Sequence, residues 1–176
     1  MQLESDELTR RCQAIELILS DVDGVLTNGG ILFDNQGIEL KQFHVRDGLG
    51  IRLWERAGYK FGILTARSSH IVKVRAAELG ISIVRQGFEE KWPVAESVLQ
   101  DMKLPAKALC YIGDDLGDIP VIRRAGLGAT VADGANEAKA AAGYITQSRG
   151  GSGAARELVE LILKAKGLWE EIVSRY

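Results

Sequence analysis

Cysteine is nearly missing from this chain. Cys12 and Cys110 are the only two in 176 residues, and no metal-ligand spacing joins them. A disulfide framework or a thiolate metal module is therefore not expected, and both residues read as reduced, packed thiols. Long apolar runs are missing too, none approaching the ~18 residues that a membrane span requires. The start, Met-Gln-Leu-Glu-Ser-Asp-Glu, is acidic and lacks the apolar stretch of a secretory signal. Charge of one sign is not in excess, since 22 Lys and Arg face 24 Asp and Glu for a net −2. That balance gives no basic field for nucleic acid or an anionic membrane surface. The sequence also has no internal repeat and no low-complexity tract. These absences lead us to expect a cytoplasmic protein with no nucleic-acid partner and no membrane partner.

What is present suffices for a core. Residues 1–176 are expected to form a single domain, since a chain of ~150 residues buries roughly 68–70% of its unfolded surface. Apolar runs alternate with amphipathic ones, the pattern of βαβ units. This predicts an α/β fold, a Rossmann-like parallel sheet with helices on both faces. The runs place strands at 15–20, 60–64, 81–84, 108–112 and 127–131, with a short one near 144–146. Helices are placed at 3–13, 48–57, 69–79, 92–103, 117–125, 135–142 and 153–166. Gly58, Gly80 and Gly126 suit helix ends, where a positive φ closes the last turn. Pro93 suits the first turn of its helix.

Residues 30–43 break the alternation. They read as two short strands around Asp34-Asn35-Gln36-Gly37, with Gly37 supplying the positive φ of a three-residue hairpin loop. A hairpin here stands over the C-terminal edge of the sheet, where open α/β sheets bind ligands. It reads as a flap. The Gly150-Gly-Ser-Gly153 stretch reads as a flexible loop, or as backbone able to approach a neighbouring subunit.

Two strands end in aspartates. Ile15-Glu-Leu-Ile-Leu-Ser20 runs into Asp21 and Asp23, and Ala108-Leu-Cys-Tyr-Ile112 runs into Gly113-Asp114-Asp115, with Asp118 close behind. Unpaired buried carboxylates are costly, so a cation is expected where these strands end. Asp21 and Asp23, two apart in an extended segment, point the same way and can supply a nucleophile and an acid/base. Asp114 can share Mg²⁺ with Asp21, because magnesium prefers carboxylate oxygens. Thr65, ending an apolar strand before a helix, suits an anion, and Lys91 can neutralise a phosphate. Together these groups meet the needs of phosphoryl transfer.

In this order the residues resemble the haloacid dehalogenase superfamily of phosphatases. Its motifs are met by Asp21-Val-Asp23-Gly-Val-Leu-Thr27, by Thr65, by Lys91 and by Gly113-Asp-Asp-Leu-Gly-Asp118. The resemblance implies that Asp21 is the nucleophile and Asp23 the general acid/base, whose backbone carbonyl also reaches the metal. It implies further that Thr65 and Lys91 hold phosphate, that Asp114 binds Mg²⁺, and that Asp118 and Asp115 support the metal's ligands.

The stretch from Asp21 to Thr65 is consumed by the hairpin and one helix, and that from Thr65 to Lys91 by a helix and a strand. Neither holds a cap domain, so the site is open unless another subunit covers it, and a homo-oligomer is expected. A capless phosphatase with a flap resembles the branch acting on 3-deoxy-D-manno-octulosonate 8-phosphate. That match spans roughly residues 15–166 and includes Phe43-His-Val-Arg-Asp-Gly48, Arg52, Leu64-Thr-Ala-Arg67 and Arg75. It implies a tetramer, and it implies that Asp23, His44, Val45, Arg46, Asp47, Gly48, Arg52, Thr65, Arg67, Arg75 and Lys91 lie near a phosphorylated keto-sugar acid.

Plainer readings stay open at this stage. Asp115 can simply complement a helix dipole, Arg52 can pair with Glu55, and Arg75 can be an exposed helix residue. The sugar can also be a nine-carbon sialic-type acid. A non-catalytic assembly module of the same fold is the rival from another class, and a phosphoacceptor receiver is disfavoured by the order of its acidic residues.

Overall fold

A computed structural model of the protein describes residues 3–176. From the N-terminus the elements are α1 (Ser5–Ala14), β1 (Leu17–Ser20), β2 (Leu32–Phe33), β3 (Glu39–Leu40), α2 (Val45–Arg56), β4 (Lys60–Thr65), α3 (His70–Leu79) and β5 (Ile83–Gln86). They continue with α4 (Lys91–Met102), β6 (Leu109–Gly113), α5 (Ile119–Ile122), β7 (Leu127–Thr130), α6 (Asn136–Ala141), β8 (Tyr144–Ile145), α7 (Ala154–Ala165) and α8 (Trp169–Val173). Six strands form one sheet in the order β5-β4-β1-β6-β7-β8, every pair parallel. β2 and β3 make a separate antiparallel hairpin. No cap domain interrupts the described residues.

The central strands are continuous apolar runs because a parallel sheet is buried on both faces. Their alternation then divides the core. Ile18, Cys110 and Ile112 pack with Cys12, Trp54, Val72 and Ile162, from α1, α2, α3 and α7. Leu17, Leu19, Leu109 and Tyr111 pack on the other face with Val98, Val121 and Ala138, from α4, α5 and α6. β1 lies in the middle, between β4 and β6. Both aspartate-bearing strands therefore end side by side.

Four departures from the expected boundaries have local causes. α2 begins at Val45 because His44 caps it, its Nδ1 accepting from Arg46 N–H at 3.3 Å. β5 starts at Ile83, not at 81, since Ile81 N–H reaches back to the Ala76 carbonyl at 2.9 Å and belongs to the helix-closing turn around Gly80. The expected helix over 117–125 is a 3-10 turn (Leu116–Asp118) followed by the short α5, where Pro120 lacks a donor and Asp118 is drawn into the interior. Beyond the last expected helix, at 153–166, the chain forms α8, with the Arg156 guanidinium 5.1 Å from the Trp169 ring centroid.

The glycines split likewise. Gly58 and Gly80 have φ of +94° and +80°, as expected, but Gly126 has no positive φ. Its requirement is proximity, since a Cβ there would stand 2.1 Å from the Lys107 carbonyl oxygen. Gly126→Ala is therefore expected to destabilise the fold by about 1–3 kcal/mol through backbone displacement. Urea unfolding checks this, and an unchanged midpoint would refute the packing argument.

Candidate active site

Asp21 leaves β1 on the last rung of the ladder to β6, its N–H donating to the Ile112 carbonyl at 3.0 Å. Its Oδ1 accepts from Val22 N–H at 2.7 Å, and its Oδ2 lies 2.8 Å from Lys91 Nζ. Lys91, the first residue of α4, is buried, and its ammonium also meets Asp118 Oδ1 at 2.6 Å. Asp118 is buried too and is saturated with donors. Besides Lys91 it accepts from the Tyr111 hydroxyl and from the N–H groups of Asp114 (2.9 Å) and Asp115 (3.1 Å). The Asp118 carboxylate thus shapes the loop that presents Asp114.

One carboxylate oxygen each from Asp21, Asp114 and Asp118 lies within 4.8 Å of the other two. Glycines allow this approach, since a Cβ on Gly24 would fall 2.0 Å from Asp114 Oδ2 and one on Gly113 would fall 2.2 Å from the Asp118 carboxyl carbon. Burial, and then the Asp118 charge, push the Asp21 carboxyl above its ordinary range. Burial, Asp118 and Asp21 push Asp114 up to about 7. Burial opposes the charge on Lys91, but Asp21 and Asp118 outweigh it and raise its pKa. Three carboxylates against one ammonium leave the site short of positive charge. The donors are hard oxygens, the set that suits Mg²⁺, so the residues present fit a magnesium ion.

Thr65 ends β4, the strand next to β1, and is buried, with its carbonyl accepting from Gly87 N–H at 3.1 Å. Asp23 lies outside the cluster of three carboxylates. Its Oδ1 pairs with Lys41 of the hairpin segment, and its Oδ2 lies 3.6 Å from Arg67 Nε. Glu39 of β3 accepts from Arg67 Nη2 at 2.8 Å and from the Ser69 hydroxyl at 2.7 Å, and lies 3.3 Å from Lys41 Nζ. The Ser69 hydroxyl and then the two cations hold its carboxyl below the usual range.

The other residues expected near substrate have partners elsewhere. Asp47 is buried and its Oδ1 accepts from Arg156 N–H at 2.8 Å, at the start of α7. Gly48 lies against Arg75, where a Cβ would be 2.5 Å from Nη2. Arg75 pairs with Glu78 at 2.7 Å and sits 5.7 Å from the Phe43 ring centroid. Arg52 donates to the Glu78 carbonyl at 3.0 Å, not to Glu55. Val45 is exposed, as is Arg46. Asp115 caps the 3-10 turn, accepting from Leu116 N–H at 2.8 Å, and stands outside the carboxylate cluster. Gly150 and Gly151 pack on their own chain's first aspartate loop, with Gly151 N–H reaching the Val25 carbonyl at 2.9 Å.

Sequence reasoning passed over Lys41, Glu39, Ser69 and Tyr111. The first two carried a readable signal, being charged residues interleaved with Ile38 and Leu40. Tyr111 carried none, since its hydroxyl matters only because Asp118 folds back beneath it.

Comparison with known proteins agrees with this geometry. The profile of the haloacid dehalogenase-like hydrolases matches residues 74–158. The 3-deoxy-D-manno-octulosonate 8-phosphate phosphatase of Escherichia coli strain K12 is 38% identical over 167 residues, 95% of this chain and 89% of that protein. The crystal structure of the corresponding phosphatase from Moraxella catarrhalis, in complex with magnesium ion, phosphate ion and KDO, superposes with a TM-score of 0.96 at 38% identity, covering 98% of this chain and 99% of that one. A probable phosphatase from Pseudomonas syringae gives a TM-score of 0.96 at 44% identity, covering 98% of both chains. With its carboxylate cluster at the strand ends and its capless single sheet, the chain belongs to the haloacid dehalogenase-like hydrolases, within the 3-deoxy-D-manno-octulosonate 8-phosphate phosphatase family.

Proposed function

We propose that this protein is a Mg²⁺-dependent phosphomonoesterase that hydrolyses 3-deoxy-D-manno-octulosonate 8-phosphate through an aspartyl-phosphate intermediate. The observation that carries the reading is the meeting of Asp21, Lys91, Asp114 and Asp118 at adjacent strand ends. Asp21 attacks phosphorus in line, the bond from phosphorus to the sugar oxygen breaks, and Asp23 gives its proton to that oxygen. Asp23 then takes a proton from the water that attacks the acyl phosphate, releasing phosphate and restoring Asp21. Lys91 and the Thr65 hydroxyl balance charge on the transferring group. Asp21, Asp114 and the backbone carbonyl of Asp23 are the groups assigned to hold Mg²⁺, which when bound supplies neutralising charge at the phosphoryl oxygens. Asp118 keeps Lys91 and the Asp114 loop in place. Of the arginines assigned to substrate, Arg67 is the one in contact with Asp23.

Phosphate release is the direct test, with eight-carbon and nine-carbon keto-acid phosphates, in Mg²⁺ and in EDTA. Preference for the eight-carbon acid with loss of activity in EDTA is expected. Preference for a nine-carbon acid would keep the mechanism and change the substrate. Asp21→Asn is expected to fall below ~10⁻⁴ of wild-type turnover while its thermal midpoint holds or rises, because one buried charge facing Asp118 is removed. Substantial turnover by that variant would refute the covalent step.

The raised Asp114 pKa gives a pH test. A carboxyl that keeps its proton up to about 7 must lose it to bind a cation, so apparent Mg²⁺ affinity falls as pH drops through that value. Affinity about tenfold weaker at pH 6 than at pH 8 is expected by calorimetric titration, and equal affinities would contradict the assignment of Asp114.

We further infer a single domain working as a cytoplasmic homo-oligomer, a tetramer. In support, no helix among the described residues is long and apolar enough to cross a membrane. The hairpin also presents Ile31, Leu32, Phe33, Ile38 and Leu40 to solvent. Its two strands have free edges, which pair readily with another copy. Light scattering is expected to give a multiple of the 19.2 kDa chain mass, and a strict monomer would overturn the assembly.

A further inference from the structure

The hairpin inverts the usual sidedness of a surface strand. Ile38 and Leu40 are 55% and 52% exposed, while the Lys41 side chain is 1% exposed and that of Glu39 is 18% exposed. Residues two apart along a strand share a face, so Glu39 and Lys41 both turn inward. Lysines ordinarily carry their ammonium out to water, and desolvating one is unfavourable unless it is paired. Here the paired groups all belong to the site. Lys41 meets Asp23 and Glu39, and Glu39 meets Arg67 and Ser69. Arg67 closes the ring at Asp23. The protein has placed one of its own carboxylates, on a two-stranded hairpin, among two cations and a hydroxyl beside the assigned acid/base.

We propose that Glu39 is a built-in stand-in for the substrate's carboxylate: it occupies the seat made by Lys41, Arg67 and Ser69, and the acid group of the incoming sugar displaces it. The inference rests on the phosphatase reading above and adds a means of selection to it. Displacement exchanges one carboxylate for another, so the charge balance around Lys41 and Arg67 is kept. A phosphate ester without a carboxylate leaves Glu39 seated and gains nothing from the two cations. Selection then comes partly from a competitor that only an acidic sugar can replace. The cost is apparent affinity, because substrate finds the seat free only for a fraction of the time.

Steady-state kinetics on two substrates tests this. The eight-carbon keto-acid phosphate carries the carboxylate, and p-nitrophenyl phosphate does not. Glu39→Gln keeps the shape of the side chain and removes its charge. It is expected to lower KM for the keto-acid phosphate about fivefold, and to change KM for p-nitrophenyl phosphate far less. Glu39→Ala is expected to act in the same direction. Lys41→Met removes one wall of the seat and is expected to raise KM for the keto-acid phosphate more than for p-nitrophenyl phosphate. A higher KM for the acid substrate in Glu39→Gln would overturn the proposal, as would equal changes on the two substrates. Wild-type turnover of p-nitrophenyl phosphate tests the phosphatase reading separately. If wild-type protein releases phosphate from neither ester, that reading fails and the stand-in fails with it.

Discussion

Lys91 lies buried between two carboxylates, 2.8 Å from Asp21 and 2.6 Å from Asp118, and the remaining site geometry hangs on that clasp. Burial opposes the charge on Lys91, and the two carboxylates together outweigh it. Asp118 does more than neutralise. By accepting from the backbone of Asp114 and Asp115 as well as from Tyr111, it folds the loop after β6 into a single shape. The residue that binds the lysine therefore also aims Asp114 at Asp21. Removing the lysine charge would leave both carboxylates buried without a counterion, whereas losing Asp21 alone still leaves Lys91 paired with Asp118.

The sheet order makes the clasp available. β1 lies between β4 and β6, so Asp21, Thr65 and Asp114 leave three neighbouring strands at the same edge. α4 follows the edge strand β5 and begins with Lys91. Four chain segments far apart in sequence are brought to one place by parallel pairing and helix crossovers alone. No second domain is needed to gather them, and the one additional element over the site is the hairpin.

Much of this was legible in the sequence because it depended on period and type. Apolar runs ending in aspartates located β1, β6 and the carboxylates. Gly58, Gly80 and Pro93 marked three helix ends, and the short stretches between motifs left no room for a cap. What was not legible depended on side chains folding back across sequence distance. Arg52 donates to the Glu78 carbonyl rather than pairing with Glu55, a choice set by how α2 meets α3. Asp47 lies in a stretch that reads as substrate-facing, and nothing in the sequence signals that its Oδ1 accepts from the Arg156 N–H at the start of α7. Gly126 was recognised as necessary for the wrong reason, since a close carbonyl leaves no mark in the local sequence. Asp115 and Asp118 are alike on paper. Only packing separates the one that caps a turn from the one that anchors the lysine.

The hairpin shows how one short element can serve two surfaces at once. Its alternation sends Ile38 and Leu40 outward and Glu39 and Lys41 inward, so an outer apolar face and an inner charged face come from the same few residues. An assembly that covered the outer face would fix the position of the inner one. The charges beside Asp23 would then be set by subunit packing as well as by the chain's own fold. In a capless enzyme such coupling would stand in for a cap. Glu39 is carried by an element with only two residues in each strand, too short to be stable alone. The hairpin's contacts with Asp23, Arg67 and Ser69 are what give it a defined place.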